Sequence, residues 1–139
     1  MYDEFFKIEE SEQYAFYRVP KLLFSNKRFW NLSADAKLLY GLLLDRMALS
    51  QKNGWVDKEG RVYIIYKVES IMEALKYGNK KVIKLLDELE NKANLIWRKK
   101  QGLGKPNLIY VKKFTVIGNE HVERHFLECQ NDTSGNVEL

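Results

Sequence analysis

The sequence predicts an α+β fold, mainly α: a winged helix-turn-helix with a basic β-hairpin wing. Three observations predict it. Two amphipathic helical stretches are separated by a short glycine-bearing turn at Tyr77-Gly78, the helix-turn-helix plan. Two strand-prone runs then flank a loop containing Gly102 and Gly104, the pattern of a hairpin. Positive charge collects over these elements. Lys76 to Lys113 holds eleven lysines and arginines against three acids, a net +8; the 139-residue chain is only +4, so the rest sums to −4.

Taken in order, residues 1–14 read as an N-terminal arm. They are acidic (Asp3, Glu4, Glu9, Glu10, Glu12) yet carry Tyr2, Phe5, Phe6 and Ile8, a composition suited to docking or pairing. Ala15 to Val19 is β-prone and stops at Pro20, and Lys21 to Phe24 suits a short helical turn. A long helix follows Ser33, a good N-cap, with Asp35 in the first turn where negative charge is favoured. Ala36, Leu39, Tyr40, Leu43 and Met47 recur at helical spacing, and Leu38, Leu42 and Leu44 widen the stripe. A helix apolar over so much of its circumference belongs at the centre of a domain, and this one is expected to end near Leu49 or Ser50. Gln51 to Gly60 is a polar loop turning at Asn53-Gly54, and Val62 to Tyr66 reads as a strand.

The helix pair comes next. Val68 to Lys76 carries Val68, Ile71, Met72 and Leu75 on one face. Asn79 is placed to cap a helix over Lys80 to Ala93, with Val82, Leu85, Leu86, Leu89 and Ala93 inward. Leu95 to Gln101 and Asn107 to Phe114 are the two strands of the wing. The winged-helix domain thus spans 15–115. Residues 116–139 form a weakly structured tail or linker, in which Glu120 to Cys129 is compatible with a helix and Gln130 to Leu139 reads as disordered.

Composition narrows the function classes. Apolar residues make up 45% and aromatics 13%, enough for a real core. One cysteine, Cys129, rules out an intrachain disulfide and suits a reducing, cytoplasmic setting. The first residues do not resemble a secretory signal, and no segment approaches the roughly 20 apolar residues of a membrane span. A localised basic region favours nucleic acid over a membrane surface.

The candidate contact residues lie on the second helix of the pair and on the wing. With its apolar residues inward, that helix shows Lys80, Lys81, Lys84, Asp87, Glu88 and Asn91 outward, the lysines crowding its N-terminal half. Recognition helices present their N-terminal residues to the major groove, and lysines make sequence-independent phosphate contacts. Asn79, Asn91 and the acids are the candidate base readers. The wing adds Arg98, Lys99, Lys100, Lys105 and Asn107. Alternation places Trp97 and Lys99 on one face of the strand, and Ile96, Arg98 and Lys100 on the other. The plainer alternatives are a solvated helix face and a charged edge that discourages aggregation.

Other chemistry is poorly supported. Gly102-Leu-Gly-Lys105 lacks the second half of a P-loop and is followed by Pro106. His121, His125 and Cys129 share a helical face at a spacing that can ligate zinc, but no fourth ligand is evident, so an amphipathic tail is the plainer reading and no metal is expected. No nucleophile–base set or carboxylate pair stands out, and Asp45-Arg46 reads as a tethering pair. We therefore expect no catalytic residues, no cofactor and no enzyme activity. Trp30, Trp55 and Trp97 read as core or dimer contacts rather than base-stacking platforms.

Several strings are longer and more particular than a generic winged helix needs. They are Tyr17-Arg-Val-Pro-Lys-Leu-Leu-Phe24, Leu32-Ser-Ala-Asp-Ala-Lys-Leu-Leu-Tyr-Gly-Leu-Leu-Leu-Asp-Arg46, Leu49-Ser-Gln-Lys-Asn-Gly-Trp-Val-Asp57 with Gly60-Arg-Val-Tyr-Ile-Ile-Tyr66, and Gln101-Gly-Leu-Gly-Lys-Pro-Asn-Leu-Ile-Tyr-Val111. Through them the chain resembles the N-terminal domain of RepA-type plasmid replication initiators of Gram-positive bacteria, the RepA_N family, over about Phe16 to Phe114. The resemblance implies a dimeric domain that binds double-stranded DNA at repeated sites of a replication origin, in plasmid or mobile-element replication initiation or copy control. It also implies host replication proteins as partners, through a C-terminal domain beyond this one. The alternatives are a winged-helix transcriptional repressor and a winged-helix protein-interaction module without DNA binding. The dimer contacts are expected at Tyr2, Phe5, Phe6 or the first strand.

Overall fold

Ser33 begins the central helix as its chemistry dictates. In the computed structural model, which describes residues 4–7 and 15–115, Ser33 Oγ accepts the Ala36 amide at 3.1 Å. Helix α2 then runs Ala34–Lys52, and α1 before it is the single turn Leu22–Ser25. Ala36, Leu39, Tyr40, Leu42 and Leu43 are all buried, so α2 is the core element its broad apolar stripe predicts. It extends slightly past Ser50 because the Asn53 amide reaches the carbonyls of Leu49 and Ser50, both at 3.1 Å.

The segment 15–20 is not a strand, contrary to its β-prone composition. It lies across α2, where no ladder is available: a Cβ on Gly41 would meet Arg18 O at 2.8 Å and Val19 Cγ2 at 3.1 Å. After α1, the Asn26 side chain accepts the Arg28 amide at 2.9 Å and opens a 3-10 turn, Lys27–Phe29. Arg28 donates to the Ala93 carbonyl at 2.9 Å, tying this turn to the far side of the core.

Three short strands form one antiparallel sheet: β1 (Ile64–Ile65), β2 (Ile96–Lys99) and β3 (Leu108–Val111), in the order β1-β3-β2. Each is shorter than its sequence pattern suggests. Val62 bridges to Val56, and the Tyr63 amide bonds the Trp55 carbonyl at 3.1 Å, so half of the expected 62–66 strand folds back on its own loop. Register pairs Ile96 with Val111, Trp97 with Tyr110, Arg98 with Ile109, and Lys99 with Leu108. Ile64, Ile96 and Ile109 point to the core, while Trp97 stacks on Tyr110 on the opposite face at 5.2 Å between ring centroids.

The helix pair is α3 (Val68–Leu75) and α4 (Asn79–Asp87). Lys76 closes α3 in the left-handed conformation, φ 59°. Gly78, not Asn79, occupies the N-cap of α4, and Asn79 is the first helical residue. Ile71, Val82, Leu85, Leu86 and Leu89 pack with Leu39, Leu43 and Ile64 in one core.

At Asp87 the helix changes pitch and ends as a π turn, Glu88–Lys92, its closing amide running from Ala93 to Glu88 O at 3.0 Å. The turn carries Glu88 inward, a correction to its expected outward position. Glu88 is 9% exposed. Its carboxylate accepts the Ser33 amide at 3.1 Å and the Ser33 hydroxyl at 3.2 Å. The cap of α2 is therefore completed from the π turn after α4.

Trp30 is 61% exposed and Trp97 40%, so neither is a core residue. No Asp45–Arg46 pair forms among the described residues; Arg46 lies over the Tyr66 ring at 4.6 Å instead. Tyr2, the 120–129 helix, the His121/His125/Cys129 set and the 130–139 tail fall outside the described residues. Among those described, no cluster of acids, histidines or cysteines is placed to hold a metal, and no helix is long and apolar enough to cross a membrane.

Candidate nucleic-acid interface

The interface is built on α4 and on the hairpin of β2 and β3. Burial of Val82, Leu85 and Leu86 fixes the rotation of α4. That leaves Asn79, Lys80, Lys81, Ile83, Lys84 and Asp87 exposed.

The three lysines of this helix are not equivalent. Lys81 Nζ lies 3.1 Å from Asp35 Oδ2 and 3.9 Å from the centroid of the Tyr77 ring. The Tyr77 hydroxyl donates to Asp35 Oδ1 at 2.7 Å. Tyr77 sits in the turn between α3 and α4, so this cluster clamps the turn to the start of α2. The Tyr77 hydroxyl, and then Lys81, hold the Asp35 carboxyl below the usual carboxylate range. Lys80 and Lys84, one turn apart, carry no ion pair or side-chain hydrogen bond among the described residues.

The other predicted residues divide in the same way. Arg98 Nε donates to Glu90 Oε1 at 2.6 Å, joining the root of the wing to the π turn that ends α4. Arg98 is thus a structural cation, and it makes helix and wing a single unit. Asn91 donates to Asp87 Oδ1 at 2.5 Å, which turns its amide along the helix. Asn79 is exposed, its amide 3.9 Å from Met72 Sδ. Lys99, Lys100, Lys105 and Asn107 are exposed on the wing and have no side-chain partner among the described residues. Gln101 donates to the Pro106 carbonyl at 2.7 Å across the loop, and the Lys105 amide reaches Gly102 O at 3.3 Å. The loop is therefore closed by its own hydrogen bonds.

Two exposed apolar residues were not among the sequence candidates. Ile83 is 47% exposed between Lys80 and Lys84, and Leu103 stands fully exposed at the tip of the wing. The helical wheel of α4 carried the signal for Ile83, which lies outside the arc of buried residues.

The arrangement provides a helix with two unpaired lysines in its first turns and a rigidly attached basic loop. Such a surface can neutralise phosphates of a duplex from two directions. The chain is similar to a solved structure described as "N-Terminal domain of DNA binding protein", 35% identical, with a TM-score of 0.73, covering 99% of this chain and 100% of that one. A second, "Structure of Rep-DNA complex", has the same identity and TM-score over 98% of this chain and 99% of its own. A third, "Structure of MDR initiator", is 38% identical over 93% of this chain and 99% of its own, with a TM-score of 0.69. A "41 kDa protein" of Lactobacillus helveticus is 34% identical over 74 residues, 53% of this chain and 21% of that protein. The chain thus spans about a fifth of that relative's length. Residues 15–124 match the family described as Replication initiator protein A (RepA) N-terminus, and the chain belongs to that family.

Proposed function

We propose that this domain binds double-stranded DNA at repeated sites of a replication origin, and that it acts in the initiation of plasmid or mobile-element replication or in copy control. The observation that carries the reading is the pairing of Lys80 and Lys84 on α4 with Lys99, Lys100 and Lys105 on the wing. All five are exposed without intramolecular partners among the described residues, and the Glu90–Arg98 pair fixes the two elements relative to each other. Membership of the RepA N-terminal family and likeness to a protein solved as a Rep-DNA complex support the same reading.

The domain works by binding alone, in the cytoplasm, with no cofactor and no catalytic step. It acts as a homodimer. Exposed Phe16, Tyr17, Phe24 and Trp30 near the start of the domain supply apolar area for a second copy. Contacts to host replication proteins belong to other parts of the initiator. Sedimentation at several concentrations tests the dimer, and a monomer mass at all of them refutes it.

Fluorescence-anisotropy titration at about 150 mM salt tests the DNA reading. Duplexes tiling the DNA that encodes the chain are compared with a shuffled control. A preference of roughly a thousandfold for one tile is the expected result, since specific binders exceed their non-specific affinity by at least that. A preference for promoter DNA instead identifies a repressor. Absence of binding to any duplex identifies a protein-interaction module.

A further inference from the structure

The wing ends in a side chain that the phosphate-binding picture leaves without a role. Leu103 is 103% exposed, as open to solvent as a leucine can be. Gly102 and Gly104 flank it with φ of +119° and +77°, values that L side chains rarely adopt, so these two positions require glycine. A Cβ on either would meet nothing within 4 Å. The tip is therefore one side chain wide, and that side chain is apolar.

A turn tip of this kind ordinarily carries a polar residue. No described residue covers this leucine. Lys100 and Lys105 stand on either side of it, both exposed. The loop is held in shape by the Gln101–Pro106 and Lys105–Gly102 hydrogen bonds.

We propose that Leu103 is a wedge that enters the DNA minor groove at a base step and bends the duplex, with Lys100 and Lys105 gripping the phosphates on its two sides. The inference rests on the DNA-binding reading above. A minor groove about 6 Å wide admits a slim tip but not a broad one, and glycine on both sides makes the tip slim. Apolar residues inserted between base steps unstack them partially and kink the duplex. Flexible pyrimidine–purine steps yield most readily, so the wedge adds preference at a position where no hydrogen bond is read.

The test uses short duplexes with a donor and an acceptor dye at their ends, taken from the tightest-binding tile. The full chain is expected to bend this DNA by an angle within about 20–90°, the range of wedge-inserting proteins. Leu103→Ala is expected to lose at least half of the bend. Burial of a leucine and unstacking of one step nearly offset each other, so affinity should change by less than about tenfold. Leu103→Phe should retain the bend. Because no described residue packs on Leu103, neither variant should alter the thermal midpoint.

Bound but straight DNA, or an equal bend with Leu103→Ala, overturns the wedge and leaves DNA binding intact. A wild-type chain that binds no duplex overturns both readings. If Leu103→Ala abolishes binding, Leu103→Phe decides: restored binding with a bend supports the wedge, and failure to restore it overturns it.

Discussion

Lys80 and Lys84 are the cations on which DNA affinity should depend most, and the structure sets the size of the effect. Each phosphate neutralised on duplex DNA contributes about 0.9 to the slope of log affinity against log salt. By the same relation, one contact is worth about fivefold at 0.15 M salt relative to 1 M, and two are worth about thirtyfold. Lys80→Ala/Lys84→Ala should therefore weaken binding about thirtyfold at that salt and flatten the slope by about 1.8. Lys81→Ala is the control on the same helix. Its ammonium is already 3.1 Å from Asp35, so its removal should change the slope by less than half of one phosphate increment. Anisotropy titrations at four or more salt concentrations read both quantities, and circular dichroism verifies the fold. A well-folded double variant with unaltered affinity and slope would remove α4 from the interface. An equal loss from Lys81→Ala would show that the Asp35 tether opens on DNA and that the division into free and held lysines has no functional meaning.

Three further outcomes concern the scaffold. Glu88→Ala leaves the Ser33 amide and hydroxyl without their carboxylate and should cost about 3 kcal/mol in urea unfolding, with Glu88→Gln losing about half as much; a loss no greater than for exposed Glu69→Ala would refute the shared cap. Gly41→Ala gains about 1 kcal/mol of helix propensity but drives a Cβ to within 2.8 Å of Arg18 O, an overpacking cost of about 1–3 kcal/mol, so a net loss is expected. A stabilised variant would show that the 15–20 segment does not rest on α2. Asp35 is held below the usual carboxylate range, so the clamp with Tyr77 and Lys81 is complete above the ordinary carboxylate pKa and is lost as pH falls through the lowered value. NMR titration of the Asp35 carboxyl should show the depression, and Tyr77→Phe should reduce it; an ordinary value in the wild type would refute the clamp.

Local chemistry made most of the fold legible. Ser33 and Asp35 announced the start of α2, and the apolar period of α4 identified residues that are buried, while on the α3 stripe Ile71 is buried and Val68, Met72 and Leu75 are partly so. What was not legible depends on partners distant in sequence. Ala15 to Val19 has strand chemistry, yet a strand needs an edge, and at Gly41 this segment rests on a helix, which offers none. Glu88 looked like one more outward acid because its partner, Ser33, is 55 residues away. Arg98 and Lys99 look alike as neighbours in a basic run. Alternation puts them on opposite faces of the strand, but that Arg98 meets Glu90 while Lys99 faces solvent is seen only in the fold. Sequence composition could thus locate the basic surface but not sort its cations.

That sorting leaves an imbalance at the start of α4 that favours an anion there. The N-terminus of a helix carries partial positive charge and unpaired amides. Natural helices offset it with a side-chain cap or an acid in the first turn. α4 has neither: Gly78 supplies no side chain, and the first turn contains no acid. It carries lysines at 80 and 81 instead, both unfavourable to the helix dipole. Asp35 compensates Lys81 from the neighbouring helix. No described carboxylate forms an ion pair with Lys80 or with Lys84 one turn later. The start of α2 differs: Ser33 caps it, and Glu88 of the π turn after α4 completes the cap. Local rules are broken most often at functional or strained positions, and the DNA-binding reading proposed above puts the start of α4 among the functional ones. On that reading, a phosphate oxygen would supply the negative charge that this helix start lacks.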